Sequence, residues 1–198
     1  MTAQFNDLFR YQEKDFSIAG ISAGELFRPA DFGLFPIPAS TACWRGYVAT
    51  FAIFESHLVL DALSVNLREK QAPTIHGILP SKPTRGLRLF NNVYTDLKYR
   101  IPYTGGLLLG HDFISELYVH MGFHPAWKYR EVFELTFENG RLVNELDRSK
   151  WAAQERKNFI ESKRSDRPDR TPTEKDVSEF VERAFDRSYK KGKDEPSG

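Results

Sequence analysis

Apolar and polar positions alternate most cleanly over residues 129–146. Tyr129, Phe133, Leu135 and Phe137 fall on one face of a period-two pattern, and Arg130, Glu134, Thr136 and Glu138 fall on the other. Asn139-Gly140 then separates this run from Leu142, Val143 and Leu146, and that dipeptide favours a two-residue hairpin turn because both positions accept left-handed backbone. The pattern predicts a hairpin whose first strand is half-buried. A two-residue turn sets Glu138 opposite Arg141, Phe137 opposite Leu142 and Phe133 opposite Leu146, matching charge with charge and apolar with apolar.

Residues 44–54 and 57–65 repeat the theme. Both are rich in aromatic and β-branched side chains, and the break at Glu55-Ser56 predicts a second hairpin. Between the two hairpins, short apolar runs at 75–80, 87–97, 99–103 and 107–109 are cut by Pro73, Pro80, Pro83, Gly86 and Gly105-Gly106, which suits short strands joined by frequent turns. Gly105-Gly106 reads as a turn. Over 25–38 the prolines leave room only for an edge strand and loops. A short amphipathic helix is expected around 5–11, and residues 112–121 read as a helix running into a strand.

After Leu146 the period changes. Residues 149–163 read as a helix, 162–173 as a charged linker, and 173–191 as a second helix that starts at a Thr173/Asp176 cap and carries Val177, Phe180, Val181, Ala184 and Phe185 at helical spacing. The fold class is therefore mainly β (α+β): an antiparallel sandwich or partly open barrel built from hairpins, followed by two C-terminal helices. The expected division is a β-rich domain over 1–146 and a charged helical extension over 147–198.

Composition narrows the function. The 28 basic and 27 acidic residues nearly cancel, so no global charge draws the chain to nucleic acid or an acidic membrane. The basic segment 163–170 is interrupted by Asp166 and Asp169 and reads as solvated linker. A single cysteine, Cys43, excludes an intramolecular disulfide, and the polar start Met1-Thr2-Ala3-Gln4 lacks a signal-peptide layout, so a reducing cytoplasm is expected. No apolar run approaches the roughly 18–20 residues that span a bilayer.

Candidate chemistry is local. Asp112, Glu116, His120 and His124 recur every four residues, a spacing that aims side chains along one helical face, and two imidazoles with two carboxylates suit a transition metal. Glu134 and Glu145 fall opposite one another in the predicted hairpin, as a retaining glycosidase pair would. Cys43 needs a nearby histidine, His76 or His120, to act as a nucleophile, and none of the local cysteine-enzyme signatures surrounds it. Trp44, Arg45, Tyr47 and Tyr118 form the best candidate ligand-binding set, aromatic surfaces with an adjacent guanidinium; Tyr99, Tyr103 and Trp127 are further aromatics of the same kind. No phosphate-binding loop, dinucleotide fingerprint, nucleophile elbow or zinc-finger spacing occurs.

With no catalytic motif and no cofactor implied, the expectation is a non-enzymatic, cytoplasmic, protein-binding module of the regulator or immunity type, of bacterial character. Its partner would be another protein, with the apolar face of the last helix as a surface for that partner or a second copy. The alternative is a metal- or ligand-dependent enzyme, or a small-molecule binder, using a pocket in the β domain.

Overall fold

Three tight hairpins build the wall of the protein. β1 (Leu8–Tyr11) and β2 (Lys14–Ile21) turn through Gln12-Glu13, β3 (Tyr47–Phe54) and β4 (His57–Val65) through Glu55-Ser56, and a later pair through Asn139-Gly140. All six turn residues have φ between 45° and 80°. Those left-handed turns carry the twist that lets the flanking strands stay paired. The computed structural model describes residues 2–69, 71–83, 89–165 and 174–190. The remaining elements in chain order are β5 (Asn92–Tyr94), β6 (Tyr99–Arg100), β7 (Gly105–Phe113), β8 (Tyr129–Glu138), β9 (Arg141–Asp147), α1 (Ser149–Ser165) and α2 (Glu174–Phe185).

The described residues are mostly β among their regular elements, so the β-rich expectation holds, and the strands form a ring. Its order is β3-β1-β2-β7-β8-β9-β4, with β4 pairing back to β3. The sheet is mixed, not antiparallel as expected, because β1 lies parallel to β3. Closure between β9 and β4 is confined to the tips of two hairpins: His57 pairs with Arg141, Leu58 N–H donates to the Gly140 carbonyl at 2.7 Å, and Leu142 N–H donates to Ser56 at 2.9 Å. One apolar cluster draws on the ring strands, with Phe9, Phe16, Phe51, Leu58, Leu60, Leu107, Leu109, Leu135 and Phe137 fully buried. The lumen is thus a packed core.

The outer face of β2, β7 and β8 is also covered. Ala19, Leu108 and Val132 pack with Ala152 of α1, with Ala126, and with the half-buried Trp127 and Tyr189. This corrects the half-buried reading of β8: its polar positions Glu134 and Thr136 are buried. The hairpin register is corrected as well. Glu138 pairs with Arg141 and Phe137 with Leu142 as expected, but a bulge between Thr136 and Phe137 then shifts the ladder, so Phe133 faces Asp147 and Glu134 faces Leu146.

Other expectations fail for identifiable reasons. The helix expected around 5–11 is strand β1, held in the sheet by β2 and β3. Gly105-Gly106 does not turn but opens the nine-residue β7. Over residues 112–121 the chain finishes β7 at Phe113 and makes a 3₁₀ turn over Ser115–Leu117, with no α-helix and no strand after it. The helix expected over 173–191 stops at Phe185, because the next residues pair with β2: Ile21 N–H donates to Arg187 O at 2.8 Å and Tyr189 N–H to Ile21 O at 3.3 Å. Residues 166–173, most of the expected linker and its basic segment, lie outside the described residues, as do the Val177 and Phe180 side chains of the expected apolar helix face.

Candidate functional site

Four stretches far apart in the chain meet at the edge of β1 and β2. Residues 2–7 run toward β1, residues 43–47 lead into β3, Gly122-Phe123 follows the 3₁₀ turn, and 184–189 return from α2. Backbone bonds tie them together: Gln4 N–H to Gly122 O at 2.7 Å, Phe5 N–H to Ala42 O at 2.9 Å, and Phe123 N–H to Ala184 O at 2.7 Å. One glycine lets two of these stretches approach, and a second lets the 43–47 stretch pass close to Ile37. Gly122 has φ 64° and a Cβ there would strike the Ala184 carbonyl; Gly46 has φ 72° and a Cβ there would strike the Ile37 carbonyl. Only glycine takes up such backbone without strain, and Gly46 thereby fixes how Arg45 and Tyr47 leave the chain.

The junction encloses a cavity of about 420 Å³. Its walls are aromatic, with Trp44 and Tyr47 from one side and Phe123 and Phe185 from the other; Arg45 and Arg187 lie within it, and Thr2 and Gln4 complete the lining. The volume falls in the range of small-molecule sites, and the mix of apolar walls with a few converging polar groups is what such sites share. Trp44 stands 65% exposed at the rim, its backbone N–H held by Gln4 Oε1 at 3.3 Å. A larger hollow of about 770 Å³ runs past Phe27, Phe32, His76 and Tyr99, but its ion pair, Arg28 and Glu25, is largely solvated at 70% exposure each.

Asp7 organises the electrostatics. Its carboxylate is buried and accepts Arg45 Nη1 at 2.6 Å, Arg45 Nη2 at 2.8 Å, Arg187 Nη1 at 3.2 Å and the Ala49 N–H at 2.9 Å. Burial alone would raise its pKa, but the Arg45 and Arg187 guanidinium groups and the Ala49 N–H outweigh it and hold the carboxyl below its ordinary value. Each arginine also covers a ring of the cavity wall: Arg45 lies 4.7 Å from the Tyr47 centroid and Arg187 lies 4.6 Å from that of Phe123. The two cations are thus fixed from both sides, by a shared carboxylate and by separate aromatic faces.

Three of the four predicted ligand-binding residues, Trp44, Arg45 and Tyr47, come together here. Tyr118 does not; it is exposed and packs against Phe113, His120 and His124. Of the predicted metal set, Asp112 is exposed and ion-paired with Arg130 at 3.1 Å, and Glu116 lies in the 3₁₀ turn. His120 is exposed and only His124 is buried. Among the described residues no three histidine, cysteine, aspartate or glutamate side chains gather as a metal site. His124 is moreover pushed down to about pKa 4 by burial and by Lys128, whose Nζ lies 3.5 Å from His124 Nδ1, so a metal cation there would meet an ammonium.

The Glu134–Glu145 pair is separated by the bulge. Glu134 is buried and accepts Arg148 Nε at 2.7 Å and the Tyr189 hydroxyl at 3.1 Å, whereas Glu145 is exposed opposite Leu135. Cys43 is buried with its thiol on the Tyr47 carbonyl, and burial raises its pKa, which suits packing and not nucleophilic attack. His76 stacks on Tyr99 at 4.6 Å. Trp127 stacks on Phe159 at 4.5 Å, and Tyr103 is buried with its hydroxyl donating to Gly106 O. Sequence reading missed Asp7, Phe123 and Arg187. No local pattern marks them, since each acquires its role only when the four stretches meet. Comparison with known protein families, curated proteins and solved structures finds no match to this chain.

Proposed function

We propose that the protein is a non-enzymatic binding protein whose recognition site is the cavity under Trp44, and that its ligand is a small molecule with an aromatic body. The observation that supports this is the cavity itself: four aromatic side chains from three separate stretches line a space of about 420 Å³ outside a barrel whose own lumen is filled. Cores of domains bury such rings; an exposed tryptophan over an apolar hollow is a feature of recognition surfaces. Among the described residues no metal cluster forms, and the one thiol beside the cavity, Cys43, is buried on the Tyr47 carbonyl, so binding is the better reading than turnover. Screening a set of neutral, anionic and cationic aromatic fragments by protein-observed NMR tests it. Hits should move the Trp44 indole N–H and the Phe123 and Phe185 backbone resonances, and Trp44→Ala should weaken them at least tenfold. Fragments that perturb only Trp127 or Trp151, or none at all, would remove the proposal.

A second reading keeps a protein partner of the regulator or immunity type in the cytoplasm. It is favoured by the composition of the rim, since tryptophan, tyrosine and arginine dominate the energetic centres of protein interfaces. In that case an apolar side chain of the partner fills the cavity, and Trp44→Asp abolishes capture of the partner without lowering the melting temperature. No described helix is long and apolar enough to cross a membrane.

A further inference from the structure

The charges around Asp7 do not balance. Two guanidinium groups, Arg45 and Arg187, share one carboxylate, and both are about four-fifths buried, at 20% and 19% side-chain exposure. The other carboxylates nearby are engaged elsewhere. Asp186 accepts the Ser188 N–H at 2.7 Å and the Ser188 hydroxyl at 2.8 Å, and Glu25 faces Arg28 at 3.4 Å in solvent. Ser188 supplies only neutral donors, so Asp186 keeps its own charge, but it is exposed and makes no ion pair with Arg187 among the described residues. The buried cluster on Asp7 therefore holds one more cation than anions at the edge of an apolar cavity. An uncompensated charge that is largely buried is unfavourable in a free protein, because burial removes the water that would otherwise solvate it.

Most of the donors left over belong to Arg187. Arg45 already uses Nη1 and Nη2 on Asp7 and Nη2 again on the Phe5 carbonyl at 3.2 Å. Arg187 gives one side-chain hydrogen bond among the described residues, Nη1 to Asp7. A guanidinium carries five N–H donors in a planar fork, so the unused edge of Arg187 matches a carboxylate in two-point geometry. Its plane is already held over Phe123, so little order is lost when the fork closes on a ligand.

From this we infer that the ligand is a monoanion, an aryl or arylalkyl carboxylate, whose ring lies among Trp44, Tyr47, Phe123 and Phe185 and whose carboxylate is received by Arg187. One leftover positive charge is neutralised by one negative charge; a cationic ligand would add to the imbalance, and a dianion such as a phosphate monoester would reverse it. The inference rests on the cavity being a binding site.

The isosteric pair 2-naphthoate and 2-naphthamide separates the two claims, since the probes share an aromatic body and differ in charge. Titrated into the full chain with the Trp44 indole N–H as readout, 2-naphthoate is expected to bind at least tenfold more tightly than 2-naphthamide. In Arg187→Gln that ratio is expected to fall to within twofold. Equal affinity of the two probes for the native protein, or tighter binding of the amide, overturns the anion preference and leaves the cavity reading standing. Failure of both to move Trp44 overturns both. If Arg187→Gln does not fold, the ratio measured on the native chain still decides.

Discussion

Asp7 and Glu134 are both carboxylates buried in the barrel wall, and one short stretch of chain, residues 187–189, reaches both, yet the two are built to different ends. Glu134 has one cation, Arg148, and one neutral donor, Tyr189; its charge is balanced and apolar side chains of the outer layer surround it. Asp7 has two cations, an excess of charge, and an apolar hollow on their far side. A balanced network seals a surface. An unbalanced one leaves hydrogen-bond donors open to solvent or to a ligand.

The largest test of that contrast is removal of each carboxylate. Asp7→Ala leaves two largely buried guanidinium groups facing each other and the Ala49 N–H without its acceptor, and should lower the unfolding free energy by about 3–5 kcal/mol in urea titration. Glu134→Ala should lower it by about 1–3 kcal/mol, because Arg148, 29% exposed, can turn to water. Equal losses would mean that the charge excess at Asp7 has no structural meaning.

Acid separates the Asp7 cluster from the neighbouring aromatic group around His124. His124 is depressed from 6.5 to about 4 in the folded protein, so between those values the unfolded chain holds the extra proton and folding weakens as pH falls. The slope should approach about 1.4 kcal/mol per pH unit and flatten below the folded value. The Asp7 contribution behaves differently: its folded pKa lies below the ordinary 3.8, so its stabilisation is intact above that value and is lost only as pH drops through the folded pKa. His124→Phe should flatten the upper window and leave the lower one. A profile unchanged by His124→Phe would show that another group titrates there.

The smallest effect is expected where the returning segment meets the outer layer. A Cβ on Gly106 would strike the Tyr189 hydroxyl, and one on Gly20 would come within 2.9 Å of the Tyr189 ring, so two glycines shape the slot for this side chain. Gly106→Ala should cost about 1–3 kcal/mol and Tyr189→Phe about 1 kcal/mol. The double variant should cost less than their sum, since Phe lacks the oxygen that clashes. Strict additivity in that cycle would place Tyr189 elsewhere.

Sequence patterning reached the hairpins at Glu55-Ser56 and Asn139-Gly140 because their information is local: alternating faces with a turn between them. It missed the β1–β2 hairpin because Gln12-Glu13 carries no turn signature, although both residues take positive φ. It placed Glu134 against Glu145 because a bulge cannot be read from alternation, and one shifted residue changes which side chains share a face. At the site, Trp44, Arg45 and Tyr47 were legible as neighbours in the chain. Asp7 and Arg187 were not, because their pairing spans 180 positions and depends on every turn of the ring in between.

That separation orders events during synthesis. Residues 2–7 and 43–47 leave the ribosome early, so Asp7 and Arg45 can meet as a neutral pair long before Arg187 exists. At about 5–20 residues per second, the interval from Arg45 to Arg187 spans roughly 7–28 seconds. The nascent chain therefore passes through a stage in which the carboxylate and one guanidinium cancel and the wall supplied by Phe185 is still absent. Arrival of the segment 184–189 adds Arg187 and Phe185 together, so the second guanidinium on Asp7 and the last aromatic wall of the cavity are acquired in one step.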